Sequence, residues 1–318
     1  MAKVLVLGAT GGIGGEVAAQ LRDAGWNVRA LRRRAGSERS EGIEWVHGDA
    51  MNRDDVMRAA QGADVIVHAV NPPGYKRWSE LVLPMLDNTI AAAKAQGATI
   101  VLPGTVYNFG PDAFPLLDEN SPQRPVTKKG AIRVEMEARL KRASEEGARV
   151  LIVRAGDFFG PNAANNWFSQ GLVKPGQSVK KISNPSTRGI GHSWAYLPDV
   201  ARTTVELLAR RESLDAFARF HMAGHWDDDG TQFTAAIQRV VAKCSGQKPS
   251  IGTFPWWLIT VASPFNETFR EMGEMRYLWR ERVQMNNARL VQTLGREPHT
   301  PLDQAIEATL IGLKCLDA

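Results

Sequence analysis

Cysteine is nearly missing from this 318-residue chain. The two present, Cys244 and Cys315, suggest neither a disulfide framework nor a metal site, and they fit a reducing, cytoplasmic setting. Long hydrophobic runs are missing as well. The longest, Trp256–Phe265, contains Pro264 and falls far short of the ~20 apolar residues that a membrane helix needs, so no membrane partner is expected. The apolar N-terminus runs directly into glycines without a cleavage-type segment, which marks a core strand and not a signal peptide. Nor does one sign of charge dominate: 39 Lys and Arg are interspersed with 34 Asp and Glu, for a net charge of +5. Without a long basic block carrying interleaved aromatics, the charge reads as a mixed surface, and no nucleic acid is expected as a partner. Repeats, linkers and low-complexity segments are also lacking. What remains is a chain with 43% hydrophobic residues, long enough for a large core and two lobes.

The most informative stretch is Lys3–Gly15. Val4–Leu7 is a short apolar run suited to a strand buried on both faces, Gly8, Gly11 and Gly14 follow at intervals of three, and Glu16–Arg22 has a helical pattern. A strand feeding a helix through such a loop points the free N–H groups of the helix at the gap, where both they and the helix dipole favour a phosphate. Glycine lets the backbone approach a pyrophosphate that a Cβ would keep away. The segment predicts dinucleotide binding by Gly8, Thr10, Gly11, Gly12, Ile13 and Gly14.

Apolar runs at Asn27–Leu31, Ile43–His47, Asp64–Val70, Thr99–Leu102 and Arg149–Arg154 alternate with helical patterns near Arg53–Gln61, Ser79–Gln96 and Lys129–Glu146. This alternation predicts an α/β fold, a Rossmann-type doubly wound parallel sheet with helices on both faces. Ligands of such sheets sit beyond the carboxyl ends of the strands. Attention therefore falls on Arg32–Arg34, Asp49, Ala69, Val70, Asn71, Pro103–Tyr107 and Ala155–Gly160.

The second strand bears on which dinucleotide. An NAD site usually ends this strand in Asp or Glu, whereas here Arg32, Arg33 and Arg34 follow. Their guanidinium groups match a 2′-phosphate in charge and forked geometry, which favours NADP(H) over NAD(H). The plainer alternative is a solvated basic turn. Asp49 has two open roles, accepting from the adenine amino group or capping the helix that begins near Asn52.

Taken together, Gly8–Gly14, His47-Gly48-Asp49, the apolar fourth strand ending at Ala69, Val106-Tyr107, Arg154-Ala155-Gly156…Phe159-Gly160-Pro161 and Trp194–Ala201 resemble the extended and atypical short-chain dehydrogenase/reductase superfamily. The resemblance covers nearly the whole chain. It implies a Rossmann dinucleotide-binding domain over 1–157, a smaller, mixed C-terminal substrate lobe over 158–318 that shapes the substrate pocket, some interleaving of the two, and NAD(P)-linked chemistry. Members include nucleotide-sugar epimerases and dehydratases, reductases of flavonoid-like substrates, and silent NADP sensors.

The superfamily's catalytic signature, Tyr-x-x-x-Lys, is where this chain departs. Alignment puts Lys129 in the tyrosine slot and Arg133 in the lysine slot, and no tyrosine lies between Tyr107 and Tyr196. Some atypical reductases of the superfamily use a lysine near this position without the tyrosine. The resemblance then implies that Arg133 holds the nicotinamide ribose and that Lys129 is the acid or the stabiliser of a developing alkoxide. Against this stands a solvated helical surface in which Arg133 pairs with Glu137. Thr105 and Tyr107 are alternative donors, and Tyr75 is placed to close over a substrate.

Ala155 and Gly156 are expected beneath the nicotinamide, with Asp157 either a pocket acid or a turn residue bonding its own backbone. His192 is either catalytic or a hydrogen-bonded structural histidine. Beyond about residue 158, Trp167, Phe168, Trp194, Phe254, Trp256, Trp257, Phe265, Met272, Met275 and Met285 suggest an apolar cavity, or else the core of the small lobe. Thr300, Pro301 and Asp303 read as the start of a terminal helix, with Thr300 as its N-cap. Two functions follow: an NADP(H)-dependent oxidoreductase acting on a small apolar or aromatic carbonyl or enone, with epimerase or dehydratase chemistry as a variant, or a non-catalytic NADP-binding regulator. The partner expected is a small-molecule substrate, and a homodimer is left open.

Overall fold

Val4, Leu5, Val6 and Leu7 are at most 1% exposed, and their strand lies in the middle of the main sheet. The computed structural model of the chain describes residues 1–34, 39–40, 42–72, 77–163, 166–264 and 267–317. Tyr75 and Phe265 lie outside the described residues. The strands in chain order are β1 (Lys3–Leu7), β2 (Asn27–Arg32), β3 (Arg39–Ser40), β4 (Ile43–His47), β5 (Val65–His68), β6 (Thr99–Gly104), β7 (Leu116–Leu117) and β8 (Arg149–Arg154). They continue as β9 (Asp157–Phe159), β10 (Lys181–Asn184), β11 (His192–Tyr196), β12 (Phe217–His221), β13 (His225–Asp227), β14 (Ser250–Thr253) and β15 (Gln284–Met285). The helices are α1 (Gly12–Asp23), α2 (Arg53–Ala59), α3 (Trp78–Gln96), α4 (Lys128–Glu145), α5 (Leu197–Leu208), α6 (Gln232–Ser245), α7 (Trp256–Ala262), α8 (Glu267–Glu274), α9 (Ala288–Leu294) and α10 (Leu302–Gly312).

The main sheet runs β12-β8-β6-β5-β1-β2-β4-β3. Its pairs are parallel apart from the antiparallel edge strand β3. The order reverses between β1 and β5, which opens a crevice beyond their carboxyl ends. On one face, Val17, Ala18 and Leu21 of α1 and Val200, Ala201, Leu207 and Leu208 of α5 pack against the inward residues of β1, β2 and β5. On the other, Val56, Val82, Leu86, Met136 and Leu140 bring in α2, α3 and α4. The fold is the doubly wound α/β architecture that the alternation predicts, and the strands at Ile43–His47 and Arg149–Arg154 have the predicted bounds.

Two further cores lie beyond the sheet. One gathers Phe159, Phe168, Trp194, Phe233, Ile237, Trp279 and Leu310 around β9, β11, α6 and α10. The other seats Met275, Leu278, Val283 and Met285 on Val106, Phe109 and Leu117, the segment that follows β6. Among the described residues, no helix is long and apolar enough to cross a membrane.

Several boundaries differ from the sequence reading by one or two residues, β5 (Val65–His68, against Asp64–Val70) and β6 (Thr99–Gly104, against Thr99–Leu102) among them, and two differences change the local chemistry. Helix α1 begins at Gly12, within the glycine stretch, so the loop is only Gly8–Gly11 and the first helical turn is side-chain-poor. Thr300 does not cap α10: Pro301 holds that position, without a side-chain cap. Thr300 instead donates its N–H (2.7 Å) and its hydroxyl (2.8 Å) to the two carboxylate oxygens of Asp199. That pair ties the chain entering α10 to the first turn of α5, a long-range use of the hydroxyl that local patterning does not encode.

Candidate active site

The crevice between β1 and β5 is lined by backbone. Gly8 has φ +93°, and a Cβ there would sit 2.6 Å from the carbonyl of Ala69. A Cβ on Gly14 would lie 2.2 Å from the Gly8 oxygen. Both positions therefore require glycine, since overlaps this close with backbone cannot be relieved by a side-chain rotation. The N–H of Gly11 donates to the Gly8 carbonyl at 2.9 Å, closing the turn. No acidic residue occupies the first turn of α1. Its free N–H groups and dipole thus face the crevice without a competing carboxylate, and the cradle fits a pyrophosphate. Thr10 and Gly11 are exposed, Gly12 and Ile13 half-buried. Across the crevice, Ala69 donates its N–H to the Leu7 carbonyl at 2.9 Å. Val70 is half-buried and Asn71 exposed.

At the end of β2, the Arg32 guanidinium lies 4.8 Å from the Trp45 ring centroid, while Arg33 and Arg34 are exposed. The helix-capping role left open for Asp49 belongs to Asn52, whose side-chain oxygen accepts from the N–H groups of Asp54 (2.9 Å) and Asp55 (3.2 Å). Asp49 makes a local turn, accepting from the Met51 N–H at 3.0 Å.

The ends of β6 and β8 are built differently. Thr105, Tyr107, Ala155, Gly156, Asp157 and Trp167 are among the residues lining a cavity of about 70 Å³. The Thr105 hydroxyl is buried without a hydrogen-bond partner among the described residues, whereas its backbone carbonyl accepts from Arg154. The Tyr107 ring packs with the cluster of Phe109, Met275 and Leu278.

Helix α4 brings charge to this end. Its buried positions include Lys129, Arg133, Met136, Glu137 and Leu140, a single stripe at helical spacing. The Thr127 hydroxyl caps the helix by accepting from the Gly130 N–H at 3.0 Å. Lys129 is 3% exposed, and its Nζ lies 3.0 Å from Glu271 of α8. Burial lowers the pKa of this amine from its ordinary 10.5, with Glu271 and then Glu274 acting in the opposite direction. Arg133 donates to the Pro103 carbonyl at 3.4 Å and lies over Trp78. A solvated surface with an Arg133–Glu137 pair is therefore not what forms.

Glu137 instead meets Arg154 at 2.6 Å, both being nearly inaccessible, and also accepts from Asn108 and Gln123. The Arg154 Nε donates to the Nε2 of His221 at 3.1 Å, and the Nδ1 of His221 faces the Leu117 carbonyl at 3.3 Å. Burial, then the Arg154 charge, pushes the His221 pKa down to about 3. The ring is thus neutral and free to accept from the arginine. This network fixes the backbone on which Thr105 sits.

Asp157 opens β9 and does not bond its own backbone as a turn residue. Its Oδ2 lies 2.9 Å from the Nε2 of His192. The His192 ring is stacked on Trp279, with centroids 3.8 Å apart and planes 7° apart. The aromatic residues divide between roles: Trp194, Phe168 and Trp279 are core, Trp167 lines the cavity, and Trp257 is 66% exposed. Sequence reasoning missed Arg154 and Glu137 as partners and missed Glu271 altogether. The spacing of Lys129, Arg133 and Glu137 along one stripe was a usable signal for Glu137, whereas Glu271 comes from a distant segment with no local mark.

Residues 4–223 match the model of the NAD dependent epimerase/dehydratase family. A 3-diazoavenalumate denitrifying reductase from Streptomyces sp is 33% identical over 132 residues, 38% of this chain and 43% of the relative. A (4-alkanoyl-5-oxo-2,5-dihydrofuran-3-yl)methyl phosphate reductase from Streptomyces griseus subsp. griseus is 43% identical over 72 residues, 22% of this chain and 25% of the relative. These matches span less than half the length of either curated relative. Among solved structures, MoeE5 in complex with UDP-glucose and NAD is similar with a TM-score of 0.73 at 17% identity, covering 98% of both chains. At these identities the likeness to solved structures establishes the fold alone.

Proposed function

The chain belongs to the NAD dependent epimerase/dehydratase family, and on that premise we propose that it is an NADP(H)-dependent oxidoreductase. Its substrate is a small, largely apolar or aromatic carbonyl or enone compound. The observation that carries this reading is Thr105, which lines a cavity at the ends of β6 and β8 and whose buried hydroxyl has no hydrogen-bond partner among the described residues. A hydroxyl without a partner in a buried site is a donor reserved for an incoming acceptor, since leaving it unmet costs ~1–3 kcal/mol. At about 70 Å³ the cavity suits the carbonyl end of a compact molecule. Drug-sized ligands occupy roughly 300–1,000 Å³, which weighs against a whole nucleotide-sugar.

In this reading the N-terminal turn of α1 binds the pyrophosphate, and Ala69–Asn71 line the opposite wall. Arg32 and Arg33 take the 2′-phosphate, Asp49 borders the adenine, and Ala155 and Gly156 offer backbone groups to the carboxamide. Arg133 holds the nicotinamide ribose. When bound, the dinucleotide supplies or accepts the hydride. Thr105 donates to the substrate oxygen, and the Lys129 ammonium stabilises negative charge that develops there. Tyr107 shapes the wall. Residues 1–157 act as the dinucleotide domain and 158–318 as the substrate lobe.

The missing tyrosine supports a second reading, a non-catalytic NADP-binding sensor. NADPH oxidation followed by absorbance with a panel of aromatic aldehydes and enones separates the two. The enzyme reading expects turnover that Lys129→Met and Thr105→Val depress by ~10–100-fold while NADPH affinity holds. Tight NADPH binding with no turnover of any carbonyl would leave the sensor.

A further inference from the structure

Asp157 and His192 are both buried, with side-chain exposures of 9% and 8%, and Asp157 lines the same cavity as Thr105. Parallel pairing of β9 with β11 sets Asp157 opposite Trp194. His192, two residues before Trp194, therefore shares a face of β11 with it. The imidazole is held on two sides: flat against Trp279 at 3.8 Å and edge-on to Trp194, with centroids 5.1 Å apart. Both tryptophans belong to the core, so the ring that meets the Asp157 carboxylate is fixed in orientation.

The other titratable groups nearby are committed. Asp227, paired with His192 across β11 and β13, uses its carboxylate to accept from the N–H groups of Gln232 and Phe233 at 3.1 Å each. The Tyr277 hydroxyl donates to the Phe109 carbonyl at 3.3 Å. Burial and then the Asp157 charge raise the Tyr277 pKa, so this phenol keeps its proton. Lys129 is ion-paired with Glu271 and is not among the residues lining the cavity, which leaves it an electrostatic role and not that of proton carrier. A buried carboxylate–imidazole pair is an expensive way to fill space, since well-packed apolar residues serve stability as well or better.

We propose that Asp157 and His192 form the acid–base pair of this cavity, supplying the proton that the family's tyrosine would otherwise deliver. The inference rests on the hydride-transfer reading above. In the oxidising direction the Asp157 carboxylate, oriented by the Nε2–H of His192, takes the proton of the substrate hydroxyl: the substrate O–H bond breaks and its electron pair closes the C=O bond as the C–H hydride departs. A bound dinucleotide would supply the hydride acceptor. The proton then leaves Asp157 for solvent, and reduction is the same sequence in reverse. Asp157 is thus a catalytic residue, and His192 is the positioning residue that stabilises its anion.

The test uses the full chain with NADPH and the most active carbonyl of the panel. Asp157→Asn preserves shape but can neither take nor return a proton, so kcat should fall by ~10²–10⁴-fold with NADPH affinity, measured by nucleotide fluorescence, unchanged. His192→Gln should cause a smaller fall in kcat. Formate added to Asp157→Ala should restore part of the lost rate, which repair of a merely structural role would not do. Wild-type kcat in Asp157→Asn overturns the pair while leaving the hydride-transfer reading standing. So does a loss in Asp157→Ala that formate leaves untouched, if NADPH affinity drops with it. A wild-type chain that binds NADPH but reduces no carbonyl overturns both.

Discussion

Between β1 and β5 the chain brings backbone against backbone: Gly8 lies on Ala69, Gly14 on the Gly8 carbonyl, and the start of α1 is left bare of side chains. At the ends of β6 and β8 it brings charged side chains together: Lys129 on Glu271, Arg154 on Glu137, Asp157 on His192. One end of the crevice recognises by close approach and is hard to alter without steric failure. The other depends on compensation, each buried charge being tolerable only while its partner is present.

The largest effect should come from the charged end. Glu137→Ala strips the carboxylate from a buried Arg154 and should cost about 3–5 kcal/mol of stability by chemical denaturation. A loss under 1 kcal/mol would show that the remaining contacts of Arg154 suffice. Acid should act next, and on both ends, because His68 lies below the cradle and His221 in the Arg154 network. Burial, then Arg133, pushes His68 down to about 3, and His221 is depressed to about 3 as well. Unfolded, each takes a proton near 6.5, so between pH 6.5 and 3 the unfolded chain binds more protons and stability falls as pH falls. His225, pushed down to about 4 by burial and then by His299, is a third such group, so between pH 6.5 and 4 the slope approaches about 4 kcal/mol per pH unit. His221→Gln should remove about a third of it, and an unchanged slope would assign the acid sensitivity elsewhere.

Gly14→Ala attacks the backbone end. It forces a methyl to within 2.2 Å of the Gly8 oxygen, and overpacking of this kind costs ~1–3 kcal/mol, accompanied by loss of nucleotide binding in a fluorescence titration. Retained binding would break the comparison, because the cradle would then tolerate a side chain. The smallest effect belongs to the exposed rim. Arg33→Asp should shift the ratio of NADP to NAD affinity by about tenfold toward NAD, the value of one charge-assisted contact. Equal affinities for the two dinucleotides in the unaltered chain would remove the arginines from cofactor choice.

How far each end was legible follows from the same contrast. Apolar runs, glycine spacing and helical periodicity are local, so Val4–Leu7, Ile43–His47, Gly8–Gly14 and Arg149–Arg154 could be read directly from the chain. The partners of Lys129 and Asp157 could not, because Glu271 and His192 reach them only through the packing of α8 and β11, far along the chain. Thr300 misled for a related reason: a good local capping residue was taken up by a stronger, distant acceptor in Asp199.

The amino-acid sequence by itself determined the doubly wound sheet, the tight glycine turn between β1 and α1 and the absence of a Tyr-x-x-x-Lys pair, because strand and helix periods and glycine spacing act over a few residues. Only the tertiary structure decided that Lys129, Arg133 and Glu137 lie inside and not on the surface, that Thr105 keeps an unmet hydroxyl, and that Asp157 meets His192. Burial and pairing are properties of the space between segments, and that space exists only once β6, β8, β9, β11, α4 and α8 have closed around it.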